Sequence, residues 1–261
     1  MLYPRIIPCL LVKNKGLVKT TKFGDPKYVG DPINAVKIFN EKQVDELIVL
    51  DIDATRENRE PDYKMIENLA VECRMPLCYG GGIKTAEQAR KIFALGVEKI
   101  AISSIALEFP ELVTKIAEQV GTQSVVVVLD VKKRKLGSRY GIWIRNGQEK
   151  TGKCPIEFAQ YMEQLGAGEI VINSIDNDGV MKGYDCALVE KIREKINLPI
   201  TVLGGAGSLE DIGKLIGKFG IIGAAAGSLF VFKGIYRAVL INYPDRDKKD
   251  ALIKENFNST L

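Results

Sequence analysis

An aspartate closes the apolar run Val125-Val126-Val127-Val128-Leu129-Asp130, and an acid in that place has a specific use. A carboxyl group at the end of a buried strand loses solvation, so its proton affinity rises towards neutrality and it becomes a candidate acid or base. The alternative is a loop cap, or an ion pair with Lys132. The chain has no histidine. That removes the commonest acid/base group, the usual zinc ligand and every Ser-His or Cys-His nucleophile pair. Proton transfer is left to carboxylates, lysine or tyrosine, and neither a metal nor another cofactor is expected. Five cysteines (Cys9, Cys73, Cys78, Cys154, Cys186) share no C-x-x-C spacing and read as free core thiols; Cys9 and Cys78 lack a base that would make them nucleophiles.

Two glycine loops supply a second kind of chemistry. Gly80-Gly81-Gly82-Ile83 recurs 124 positions later as Gly204-Gly205-Ala206-Gly207, and Ala101-Ile102-Ser103-Ser104 recurs at the same offset as Ala225-Ala226-Gly227-Ser228. Turns of this kind point backbone N–H groups outward near a helix N-terminus, as a phosphate dianion requires. A matched pair implies a small-molecule substrate with two phosphates. A single such loop would more simply be a tight strand-to-helix turn.

The elements that would carry these residues alternate along the chain. Strand-like runs fall at Arg5 to Val12, Glu46 to Asp51, Leu77 to Tyr79, Lys99 to Ile102, Ser124 to Asp130, Glu169 to Asn173, Ile200 to Leu203 and Ile221 to Ala225. Helical patterns separate them, and Phe232 to Asn242 reads as the last. Eight βα units in 261 residues predict a single (β/α)₈ TIM barrel with two half-barrels, about 1–120 and 121–243. Two long connections, Lys13 to Asp31 and Val131 to Lys153, occupy matching places and read as active-site loops. The first carries Lys13, Lys15, Lys19, Lys22 and Lys27. The polar tail from Pro244 to Leu261 is expected to fray.

Barrel sites sit at the carboxyl ends of strands, where the halves differ. Strand one ends in Leu11 where strand five ends in Asp130, so one half lacks the acid. Asp51 is the nearest remaining carboxylate that would compensate. Asp176 and Asp178 are suited to orienting ligand hydroxyls, or to capping the turn before Gly179. At the opposite ends, Arg5, Glu46, Lys99 and Glu169 begin strands one, two, four and six. Pointing inward they would close a charged ring at the barrel floor; pointing outward they would be surface ion pairs.

Bulk properties exclude other classes. A formal charge of +4, with no basic run interleaved with aromatics, gives no nucleic-acid stripe. No apolar segment reaches the length of a membrane span, and Pro4 and Pro8 interrupt any leader-like start, so a cytoplasmic protein is expected.

These residues closely resemble the cyclase subunit of imidazole glycerol phosphate synthase along nearly the whole chain. The resemblance rests on Arg5-Ile6-Ile7-Pro8-Cys9-Leu10, Asp45-Glu46-Leu47, Leu50-Asp51-Ile52, both glycine loops, Val125 to Asp130, Gly166-Ala167-Gly168-Glu169, Ser174 to Gly179 and Gly183-Tyr184-Asp185. It implies a barrel that receives ammonia from a glutaminase subunit docked on its N-terminal face. The barrel then uses that ammonia to cyclise and cleave a bisphosphate ribonucleotide. It further implies that Gly82, Ser103 and Ser104 hold one phosphate and that Gly205, Gly207 and Ser228 hold the other. Lys19 matches the mobile-loop lysine, while Arg5, Glu46, Lys99 and Glu169 match the ammonia gate. Asp130 matches one catalytic aspartate. The other falls on Leu11, and Ser103 stands where the family has asparagine. Two functions follow: a histidine-pathway cyclase and lyase relying on Asp130, with Asp51 or Lys19 as auxiliary, or a non-cyclising paralogue. The resemblance extends to such paralogues, which pass ammonia to a sugar amidotransferase making acetamidino sugars for lipopolysaccharide and other surface polysaccharide.

Overall fold

The computed structural model describes residues 3–134 and 140–257. In chain order the first half contains β1 (Arg5–Lys13), β2 (Gly16–Thr21), β3 (Gly24–Gly30), α1 (Pro32–Glu41), β4 (Leu47–Asp51), α2 (Tyr63–Glu72), β5 (Leu77–Gly80), α3 (Ala86–Ala94) and β6 (Lys99–Ile102). The short α4 (Ser104–Glu108) and α5 (Glu111–Val120) lead to β7 (Val125–Lys133), β8 (Tyr140–Ile144), β9 (Glu149–Lys150), α6 (Pro155–Gln164) and β10 (Glu169–Ser174). There follow α7 (Cys186–Arg193), β11 (Ile200–Leu203), α8 (Leu209–Phe219), β12 (Gly223–Ala226), α9 (Ser228–Val231), β13 (Phe232–Lys233), β14 (Ala238–Val239) and α10 (Arg246–Phe257).

Eight of these strands are apolar on both faces, as parallel strands covered by helices must be. They pair in parallel as β1-β4-β5-β6-β7-β10-β11-β12, and β12 returns to β1, so the sheet closes into the expected (β/α)₈ barrel. Outward-facing residues join the helices in the larger core, while Ile7, Cys9, Ile48, Cys78, Val126, Val128, Val171 and Ala225 fill the barrel interior. Helix starts follow local chemistry. Asp31 accepts the Asn34 N–H before Pro32 opens α1, Thr85 accepts the Gln88 N–H at α3, and Ser208 with Asp211 forms a capping box at α8.

Both long connections are more ordered than loops. Each continues its barrel strand into an antiparallel hairpin, β2–β3 on β1 and β8–β9 on β7, at the same place in each half. Residues 135–139 of the second connection lie outside the described residues.

The end of the chain departs from expectation. Phe232 to Asn242 is not a helix: Gly234 at φ +72° and Arg237 at φ +50° turn it back on itself, and it forms the β13–β14 hairpin. The physical cause is the glycine beside β-formers, which favours a turn over helix propagation. The eighth helix is α10, inside the tail expected to fray. It packs on α8, where a Cβ on Gly213 would lie 2.8 Å from Asn256 and 3.1 Å from Leu252. Lys249 also pairs with Asp45 at 2.5 Å. Tertiary contact holds a helix whose polar sequence would not stand alone. Residues 258–261 of that tail lie outside the described residues.

Candidate functional site

The carboxyl ends of the barrel strands surround a cavity of about 1160 Å³, counting the open space at its mouth. Both glycine loops reach it for reasons of backbone geometry. Gly81 at φ +122° and Gly205 at φ +118° sit in the left-handed region, and a Cβ would lie 2.5 Å from the Asp51 carbonyl oxygen or 2.1 Å from that of Gly183. Only glycine fits either place. Gly82, Ser103, Ser104, Gly205 and Ser228 line the cavity. Several of their polar groups already have partners. The Gly82 N–H donates to the Thr55 hydroxyl at 3.3 Å, and the Ser104 hydroxyl accepts the Arg145 N–H at 3.0 Å. Gly207 is not in the lining, and its N–H donates to Asp211 at 2.9 Å within the α8 capping box.

Asp130 stands on the cavity wall. The Asn173 Nδ2–H donates to its Oδ1 at 2.9 Å, and the Ser103 hydroxyl donates to Oδ2 at 3.3 Å. Burial drives its proton affinity up, the two donors pull it back only partly, and the carboxyl titrates at about 7. Leu11 lines the same cavity, beside Cys9 and Leu50, with no acid at its place.

The other carboxylates are occupied. Asp51 accepts the N–H groups of Asp53 at 3.1 Å and Ala54 at 3.0 Å, and faces Arg59 at 3.5 Å. Asp178 lines the cavity, where it accepts the Thr20 hydroxyl at 2.7 Å and the Phe23 N–H at 3.1 Å, thereby holding the β2–β3 hairpin over the mouth. Asp176 lies outside the lining and accepts the Lys133 N–H at 2.8 Å.

Of the five lysines of the first connection, only Lys19 enters the cavity. It is 5% exposed, its ammonium donates to the Cys9 carbonyl oxygen at 2.5 Å, and burial lowers its pKa. Lys15, Lys22 and Lys27 are exposed, and Lys13 faces Asp53 at 3.6 Å. A Cβ on Gly227 would lie 2.5 Å from the Lys19 ammonium, so the bare glycine admits that side chain.

The floor charges do turn inward. Arg5 pairs with Glu46, and with Glu169 at 2.7 Å, while Lys99 reaches both acids at 2.9 Å. Burial raises the Glu169 carboxyl, but Arg5 and Lys99 outweigh it and hold the group below its ordinary value. Thr201 donates a further hydrogen bond to Glu169 at 2.5 Å. Above this ring the interior is apolar up to Asp130.

Burial raises the Cys9 thiol to about 11 and carries the Cys78 thiol well above its ordinary value, so neither is a ready nucleophile. Among the described residues no His/Cys/Asp/Glu group could hold a metal ion, and no helix is long and apolar enough to cross a membrane. Sequence reasoning missed Asn173, Thr20, Phe23 and Asn146 in the lining. For Asn173 a signal existed: it shares the period-two face of Glu169 and Val171.

A closed parallel barrel with its cavity at the carboxyl ends of the strands defines a (β/α)₈ protein with a mouth site. Comparison with known proteins narrows the class. The model of the family described as histidine biosynthesis protein matches residues 5–236. The chain is 60% identical over 253 residues to a protein of Vibrio vulnificus provisionally named imidazole glycerol phosphate synthase subunit hisF3, covering 97% of each. It is 58% identical to the provisionally named HisF subunit of Leptospira interrogans, over 97% of this chain and 99% of that one. It is 40% identical to the imidazole glycerol phosphate synthase subunit HisF of Clostridium botulinum over the whole of both chains. The chain therefore belongs to the histidine biosynthesis protein family, as a homologue of the HisF-type cyclase subunits.

Proposed function

We propose that this chain is the ammonia-accepting barrel of a glutamine-dependent synthase of the imidazole glycerol phosphate synthase type, paired with a glutaminase subunit seated on its floor. The names of its relatives, which are those of subunits, support a partner. The ring of Arg5, Glu46, Lys99 and Glu169 acts as the gate. The apolar interior beyond it favours neutral ammonia over ammonium, because a lone charge is costly to bury there. At the mouth a bisphosphate ribonucleotide spans the two glycine loops, one phosphate towards Gly82, Ser103 and Ser104 and the other towards Gly205 and Ser228. Lys19 brings positive charge to the same cavity. Asp130 moves protons as the ring closes and the ribonucleotide is cleaved to imidazole glycerol phosphate and an aminoimidazole carboxamide ribotide. The observation that carries this reading is a cavity-wall carboxyl, held by Asn173 and Ser103, standing over an apolar interior with a charged floor.

Leu11 favours a second reading. A leucine transfers no proton, and Asp51 is engaged by two backbone N–H groups, so the mouth holds half of a carboxylate pair. Loss of one acid/base partner costs roughly 10²–10⁴ in rate. In this reading ammonia passes on to a sugar amidotransferase that makes acetamidino sugars, and the phosphate cradles are vestigial. The two are separated by supplying the bisphosphate ribonucleotide and ammonium salt to the purified chain and following product in the parent, Leu11→Asp and Asp130→Asn. Turnover that collapses in Asp130→Asn supports cyclisation. No turnover in the parent, with glutaminase binding intact, supports the conduit.

A further inference from the structure

Strand β10 presents Glu169, Val171 and Asn173 on one face, climbing from the floor ring to the mouth. Its register against β7 sets them level with Val126, Val128 and Asp130. At the top of this ladder the Asn173 amide donates to Asp130 at 2.9 Å from a position only 5% exposed. The other end of the same amide is unusual. Among the described residues Asn173 Oδ1 has no hydrogen-bond partner, and it is sealed from solvent. A buried acceptor without a donor costs stability, and an apolar side chain of similar size would fill the place without that cost. What the amide adds is the donor to Asp130.

The surroundings keep that donor in place. Leu203 is its neighbour on β11, and Gly204 follows at φ +92°. A Cβ on Gly204 would lie 2.7 Å from the Ser174 carbonyl oxygen and 3.4 Å from Asn173 Oδ1, so the bare turn leaves the amide uncrowded. The second donor on the carboxylate, Ser103, stands further off at 3.3 Å.

We propose that Asn173 is the positioning residue of the mouth carboxylate, fixing the orientation of Asp130 and favouring its charged form. A hydrogen bond given to a carboxylate stabilises the ionised state, so Asn173 opposes the desolvation that would otherwise leave Asp130 neutral and unable to accept a proton. The role rests on the reading that Asp130 transfers protons, but its test does not need turnover.

The test is a ¹³C-carboxyl NMR titration of the full chain, with the Asp130 signal assigned from its loss in Asp130→Asn. Parent, Asn173→Leu and Asn173→Ser are compared, and thermal unfolding is recorded for each. Asn173→Leu is expected to raise the Asp130 midpoint by about 1 unit or more, since a hydrogen bond to a charged group is worth that much. Its unfolding temperature is expected to hold at pH 4, where Asp130 is protonated, and to fall at pH 9, where its charge has lost a donor. Asn173→Ser, which keeps a donor, is expected to shift the midpoint less. An unmoved midpoint in Asn173→Leu overturns the proposal, as does an unfolding temperature lowered equally at pH 4 and pH 9 with no change in titration. Absence of turnover in the parent alongside the expected shift removes the cyclase reading and leaves the Asn173 role standing.

Discussion

Replacing Asp130 by asparagine should make the protein more stable at alkaline pH, although it removes the carboxyl proposed to transfer protons. In the folded chain the carboxyl titrates at about 7 against an ordinary value of 3.8, chiefly because burial penalises its charge. Between those values the folded protein keeps a proton that the unfolded chain has released, so stability falls as pH rises through the window and stays low above it. A difference of about 3 units is worth roughly 4 kcal/mol at pH 9, and water entering the cavity mouth reduces this to about 2 kcal/mol. Asparagine keeps an acceptor for Asn173 and carries no charge. Urea unfolding at pH 4 and pH 9 should therefore show Asp130→Asn about 2 kcal/mol more stable than the parent at pH 9, with the gap below about 0.5 kcal/mol at pH 4. For a chain of this length that corresponds to an unfolding temperature about 4–8 °C higher at pH 9. Equal stability at pH 9, or the same gain at both pH values, would refute the assignment of a raised carboxyl.

Three further outcomes follow from the packing. Glu169→Gln leaves Arg5 and Lys99 short of a buried counter-charge and should cost about 3 kcal/mol in chemical unfolding at pH 7. Because the Glu169 carboxyl lies below its ordinary value, its contribution is present above the unfolded value and is lost as pH falls through the folded one, so the variant and parent should converge in strong acid. Gly205→Ala forces a methyl group against the Gly183 carbonyl oxygen at a positive φ, and should cost more than about 2 kcal/mol or prevent folding, read by circular dichroism and thermal melting. Ile235→Ser and Tyr236→Ser, at hairpin positions 88% and 90% exposed, should change unfolding by less than about 0.5 kcal/mol.

Much of the barrel was legible in the order of residues. The runs that become β1, β4, β5, β6, β7, β10, β11 and β12 are apolar on both faces, which fits strands covered by helices on one side and by a filled barrel on the other. The pairing of Gly80 to Gly82 with Gly204 to Gly207 pointed to two turns at the same rim. The last barrel helix was misplaced because Phe232 to Asn242 mixes apolar residues at both periods, and Gly234 decides between them only once Phe232 is pinned beneath Lys27 and Arg237.

The sequence by itself determined the fold class, the four floor charges, and the presence of one acid where symmetry called for two. Tertiary structure alone decided what those groups do with one another. It turned Arg5, Glu46, Lys99 and Glu169 inward, committed Asp51 to two backbone N–H groups, drew Lys19 but not its neighbours into the cavity, and set Asn173 against Asp130. The reason is physical. Strand and helix periods are local and survive in the order of residues, whereas hydrogen bonds and proton affinities depend on burial and on partners such as Glu169 for Arg5 and Asn173 for Asp130, which lie far apart in sequence and which only the closed barrel brings within 3 Å.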